Sequence, residues 1–230
     1  KLLGFKKVQN NTMYVAYTRG KVEAAILFAL NQLMQTMAKF ANDVLMFSMS
    51  EFGYVELPKE FCTGSSLMPQ KRNGDVFELT RGKANIMLGY FISTVELQNV
   101  LLSGYNRDTQ LTKDLMVKAL HLYSNTVKVM STVTAGITLN KSKCIAACSA
   151  EIFATDKALD LVKDGMPFRD AYRQVASHLS ELEAIDPVKN IAQKLINLKP
   201  VQTDWNTNSR WLSSEQKHWQ QTVKHLLALA

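Results

Sequence analysis

The sequence is poor in the residues that break helices. It has 5 prolines and 10 glycines in 230 residues. That scarcity disfavours a fold of many short strands and turns, and favours long uninterrupted helices. Cysteine is scarce too: Cys62, Cys144 and Cys148. An odd count without regular spacing excludes a disulfide scaffold and points to a reducing compartment, hence a cytoplasmic location. Cys144 and Cys148 share a helix face, but no histidine or acid accompanies them. Buried thiols are expected there and no metal site. The longest apolar run, residues 22–30 interrupted by Glu23, is too short to span a bilayer, so no membrane partner is expected. Residues 1–5 lack the apolar core of a signal peptide. There is no initiator methionine, so the chain reads as a piece of something longer. No Lys/Arg run with interleaved aromatics is present, and the net charge of +7 is read as a solvated basic surface. Nucleic acid is therefore not an expected partner.

What remains is apolar: 47% of residues. Residues 1–20 read as an irregular polar segment and 21–51 as one long helix. Its polar positions, Gln32, Gln35, Thr36, Lys39, Asn42 and Asp43, form a narrow stripe. A helix so apolar around its girth must be covered on several sides, as in a large bundle or oligomer. Residues 53–73 read as loop. Two more long helices are expected over 75–103 and about 107–137. The run Asn140-Lys141-Ser142-Lys143 marks a boundary between a domain of residues 1–140 and one of 141–230. Shorter helices follow over about 144–163, 167–184, 187–197 and 209–228, with Pro167 and Asp186-Pro187 as start signals. The fold class is all-α.

The polar stretch Thr63 to Asp75 interrupts this pattern. It gathers the hydroxyls of Ser65 and Ser66, the ammonium of Lys71 and the carboxamide of Asn73. Gly64 and Gly74 relax its backbone, and Pro69 stiffens its middle. A helix starts near Asp75, which is expected to cap it. Unpaired N–H groups and the partial positive charge at a helix start suit an anion, and Lys71 and Asn73 add donors there. Glu78 lies one turn in.

Residues 64–73, Gly-Ser-Ser-Leu-Met-Pro-Gln-Lys-Arg-Asn, resemble the signature loop of the fumarase/aspartase superfamily of lyases. With Gln70 before Lys71 the form is most similar to the argininosuccinate lyase family. Residues 50–58, 103–113 and 164–172 resemble further segments of that family, and Asn11-Thr12 with Arg19 fits a weaker upstream pattern. The resemblance implies a long-helix bundle with a small C-terminal helical domain, a homotetramer, and sites built from several chains. It implies cleavage of argininosuccinate to arginine and fumarate by base-catalysed elimination, with no metal or organic cofactor. Ser65 would be the base, Lys71 would stabilise the enediolate, and Glu78 would polarise a histidine. Ser66, Asn73, Tyr105, Gln110, Lys113, Asn11 and Arg19 would bind substrate. That histidine belongs to an N-terminal part not represented here, so this chain alone is expected to be inactive. His121, His178, His218 and His225 match nothing catalytic. Gly74 replaces the family's usual proline, and Arg72 is more typical of adenylosuccinate lyases. Two alternatives are therefore an adenylosuccinate lyase-like enzyme and a non-catalytic structural protein on the same fold.

Overall fold

A computed structural model describes residues 7–64, 68, 72–179, 186–197 and 205–228. Two compact units emerge: Asn11–Ile185, and Lys1–Asn10 with Asp186–Ala230. The first contains a short helix α1 (Thr12–Tyr17), then α2 (Lys21–Ser48), strand β1 (Val55–Glu56), α3 (Asp75–Glu96), α4 (Thr112–Ala135) and strand β2 (Thr138–Leu139). It continues with α5 (Lys141–Ala146), α6 (Ala154–Lys163) and α7 (Phe168–Ser177). The second unit holds α8 (Pro187–Asn197) and α9 (Trp205–Leu227). The all-α expectation is met by the long helices, with one two-strand antiparallel pair besides among the described residues, Val55 opposite Leu139 and Glu56 opposite Thr138.

The bundle is held by a seam with coiled-coil spacing. On α2 the buried residues are Leu27, Asn31, Met34, Ala38, Ala41 and Val44. Their steps of four and three keep one stripe facing a partner helix. On α3 the matching stripe is Phe77, Thr80, Ala84, Met87 and Thr94. α2 packs chiefly on α3, and α4 on α3 and α2. Gly20, before α2, lies against Gln98, beyond α3, while Leu45 near the end of α2 approaches Gly74. The two helices are therefore antiparallel. α4 returns alongside α2, because Thr112 meets Glu23 at its start and Val133 joins the Val44 and Phe77 cluster at its end. Two buried threonines fit this seam by bonding their own helix: Thr80 donates to Val76 O at 2.7 Å, and Thr126 to Leu122 O at 2.7 Å.

Several element ends differ from the sequence expectation. Residues 12–17 are helical, capped by Asn11. α3 stops at Glu96 rather than 103. Val100 then takes a positive φ of 54°, and the segment turns so that Gln98 packs on Gly20. The expected helix at 107–137 is a 3₁₀ turn (Arg107–Gln110) followed by α4. The helix expected at 144–163 starts earlier and is broken, with a 3₁₀ turn between α5 and α6. The expected boundary near residue 140 falls where β2 pairs with β1 and Asn140 N–H donates to Tyr54 O at 2.9 Å. Cys144 and Cys148 are half-buried rather than buried, as is Cys62.

Much of the bundle surface stays apolar. Phe28, Leu33, Ile92 and Val117 are each about half exposed. Among the described residues, no helix is long and apolar enough to cross a membrane.

Candidate active site

The loop after Thr63 is closed at its base by an antiparallel bridge. Thr63 N–H donates to Asn73 O at 3.2 Å, and Asn73 N–H donates to Thr63 O at 2.9 Å. This bridge delivers the chain to the first turn of α3, where Phe77 N–H returns to Gly74 O at 2.9 Å. Ser65, Ser66 and Lys71 lie outside the described residues. Asn73 stands at the bridge, and Glu78 is exposed on the first turn. Two expectations change here. Asp75 is the first helical residue, and Gly74, without a side-chain bond, occupies the cap. Neither Gly64 nor Gly74 has a positive φ. Gly74 has φ −82°, close to what a proline ring imposes. It is needed for space instead, because an added Cβ would stand 3.0 Å from both Leu45 and Leu57. Beside the bridge, burial pushes the Cys62 thiol above its ordinary value. Arg72 pulls it back, and Asp75 and Glu60 add to the rise.

A second polar cluster forms beyond the other end of α3. The Arg19 guanidinium lies over the Tyr105 ring at 4.7 Å. Gln110 Nε2 donates to the Tyr105 hydroxyl oxygen at 3.1 Å. That bond first, then the neighbouring Arg19, lowers the Tyr105 pKa, with Lys113 acting in the same direction from further off. Gly104, at φ 120°, makes the turn that a side chain would strain. Local bonds fix the segment. Asn106 Nδ2 donates to Leu102 O at 2.8 Å and Thr109 Oγ1 to Asn106 O at 2.9 Å. Thr112, fully buried, donates to Thr109 O at 2.8 Å and lies 3.4 Å from Glu23 Oε1. Glu23 and Thr112 thus tie the cluster to α2, a role the sequence reading missed. An acid and a threonine far apart in sequence carry no local signal of it. A cleft of about 70 Å³, lined in part by Arg19, Gln98, Asn106 and Thr109, opens beside the cluster. Asn11 is employed otherwise: its Oδ1 accepts from Tyr14 N–H at 3.0 Å, capping α1.

The structure therefore joins Arg19, Tyr105 and Gln110, with Lys113 near. It does not bring them to Asn73 and Glu78. The two groups flank α3, whose 22 residues span about 33 Å at 1.5 Å per residue. No dicarboxylate reaches from one to the other within a single chain. Within the first unit, His121 and His178 are exposed on or beside helices and are bonded to neither group; His218, on α9 of the second unit, is exposed, and the His225 side chain lies outside the described residues. Among the described residues, no cluster of three or more His, Cys, Asp and Glu could hold a metal ion.

α2, α3 and α4 form a bundle of long helices with a polar cluster at each end of α3, and the comparisons say which proteins share it. The family described as "Lyase" matches residues 1–89. The argininosuccinate lyase of Thermotoga neapolitana is 39% identical over 176 residues, 76% of this chain and 44% of that protein. That of Sorangium cellulosum is 38% identical over 195 residues, 84% of this chain and 45% of that protein. Among solved structures, EDDS lyase in complex with formate aligns with TM-score 0.61 at 24% identity, covering 76% of this chain and 35% of that one. The fumarate lyase:delta crystallin from Brucella melitensis gives TM-score 0.62 at 20% identity, covering 76% and 39%. These structures share the fold. The chain belongs to the fumarase/aspartase superfamily, within its argininosuccinate lyase family. It spans less than half the length of the curated relatives it matches.

Proposed function

We propose that the whole protein cleaves argininosuccinate to arginine and fumarate, in the cytoplasm and as a homotetramer. The observation that carries this reading is the pair of polar clusters at opposite ends of α3. Each matches a segment of the family, and each is half of a site. A site then needs the loop of one chain and the Tyr105 segment of another, and the half-exposed apolar faces of the bundle supply the surface for such pairing.

In this reading Ser65 removes the proton from the carbon beside a carboxylate. Negative charge moves onto that carboxylate as an enediolate. Lys71, Asn73 and the start of α3 stabilise it, since fixed donors aimed at developing charge act strongly in a site shielded from water. The C–N bond then breaks as an acid protonates the leaving nitrogen. A histidine polarised by Glu78 and supplied from outside these 230 residues is that acid, so this chain alone turns over no substrate. Ser66 helps seat the fumarate-forming end. Arg19, Tyr105, Gln110 and Lys113 from a second chain hold the remainder, and Asn11, whose Oδ1 caps α1, adds a weaker contact through its amide N–H₂. Lys113 meets a carboxylate, while Gln110 and Tyr105 exchange hydrogen bonds with polar groups.

Turnover of argininosuccinate and of adenylosuccinate by the whole protein, followed by fumarate formation, tests the reading. Argininosuccinate alone is expected to react. Ser65→Ala is expected to lower kcat by about 10²- to 10⁴-fold with helicity unchanged. Turnover of adenylosuccinate instead, or an unimpaired Ser65→Ala variant, would overturn it.

A further inference from the structure

At the foot of the loop lies a cavity of about 610 Å³, in the size range of small-molecule sites. Its lining is unlike an ordinary apolar pocket. Lys59, Arg72 and Lys143 meet Glu56 and Glu60 there, together with Asn140. Opposite charges so placed would usually pair. Yet the four ion pairs found among the described residues involve none of these five side chains.

The walls are well fixed. β1 pairs with β2 on one side. Gly53, at φ 59°, leaves the space that the Lys143 ammonium occupies, and any Cβ there would collide with it. Asn140 uses its Oδ1 to accept from Lys143 N–H at 3.1 Å and Ser142 Oγ at 2.8 Å. Its N–H₂ end remains as a donor. Donors and cations thus share one cavity with two carboxylates.

We propose that this cavity binds a free amino acid carrying a cationic side chain. Its carboxylate is held by Lys143 and Asn140, and its cationic end by Glu56 and Glu60. An acid alone would meet the two glutamates, and a cation alone would offer Lys143 and Asn140 no acceptor. The cavity also touches Cys62 and Arg72, the residues beside the Thr63–Asn73 bridge. An occupant therefore leans on both strands that close the loop. That coupling to catalysis rests on the lyase reading, whereas the binding does not.

The test is a titration of this 230-residue chain with L-arginine, followed by amide NMR shifts and calorimetry. Agmatine, the same cation without the carboxylate, is the comparison ligand. Arginine is expected to shift Glu56, Asn140 and Lys143, and agmatine to bind far more weakly. Lys143→Met, which keeps the aliphatic stem, is expected to weaken arginine about tenfold, as loss of one charged hydrogen bond does. Glu56→Gln provides a second, independent loss. Asn73→Ala is expected to leave binding unchanged, which separates this cavity from the loop site. Equal binding of agmatine, or unchanged arginine affinity in both cavity variants with helicity intact, would overturn the proposal. Arginine bound at this cavity, beside a whole protein that cleaves no argininosuccinate, would sustain the proposal and sink only the lyase reading.

Discussion

Gly20 joins α1 to α2 next to Arg19, and replacing it by alanine should loosen that end of the bundle. Its φ is 89°, where an L side chain costs about 1–2 kcal/mol. The new Cβ would stand 2.8 Å from Gln98 Cδ. Gln98 must then swing away and give up its 2.8 Å bond to Thr94 O, worth about 0.5–1.5 kcal/mol net. Together these come to roughly 2–3 kcal/mol, or roughly 4–12 °C in Tm for a domain of this size. Thermal unfolding followed by helical circular dichroism reads the shift. Gly82→Ala is the matched control. Gly82 is exposed within α3 with open space around it, so alanine should stabilise by up to about 1 kcal/mol through helix propensity. If Gly20→Ala melted within about 1 °C of the parent, the argument from backbone and close approach would be wrong.

Phe77, on α3, is buried in a cluster with residues of α2, β1 and α4, so Phe77→Ala should cost about 3–5 kcal/mol, measured by urea unfolding. Tyr105 has a lowered pKa, chiefly through Gln110, so the folded chain favours its tyrosinate. The resulting stabilisation is present above the ordinary phenol value and lost as pH falls through the lowered one. Gln110→Ala should move the Tyr105 titration upward, as read by NMR of labelled tyrosine. An unmoved titration would deny the hydrogen bond its role.

The bundle was legible because periodicity and scarce breakers speak directly of helices. Leu27 to Val44 repeats in steps of three and four, and no proline interrupts it. Helix ends were less legible. Residues 97–102 are at least as apolar as α3 itself, and Gln98 there packs on Gly20, a contact 78 positions away in the sequence. The strands were missed because two residues each carry no alternation to detect. Gly74 was misjudged for a related reason. Its neighbours Leu45 and Leu57 come from other elements, so the crowding that fixes it is invisible locally. In the site, motif likeness named candidate residues at both ends of α3. Their separation emerges only once the length and antiparallel course of that helix are laid out.

The central claim is that one site draws its loop and its Tyr105 segment from different chains. Mixing subunits of the whole protein carrying Ser65→Ala with subunits carrying Lys113→Ala tests it most directly. Each variant alone should be nearly inactive. After reassembly at equal ratio, about a quarter of the sites should combine an intact loop with an intact segment, by random assortment of symmetric copies. Recovery of about a quarter of the parent activity is the expected result, and no recovery in a demonstrably mixed oligomer would contradict the account.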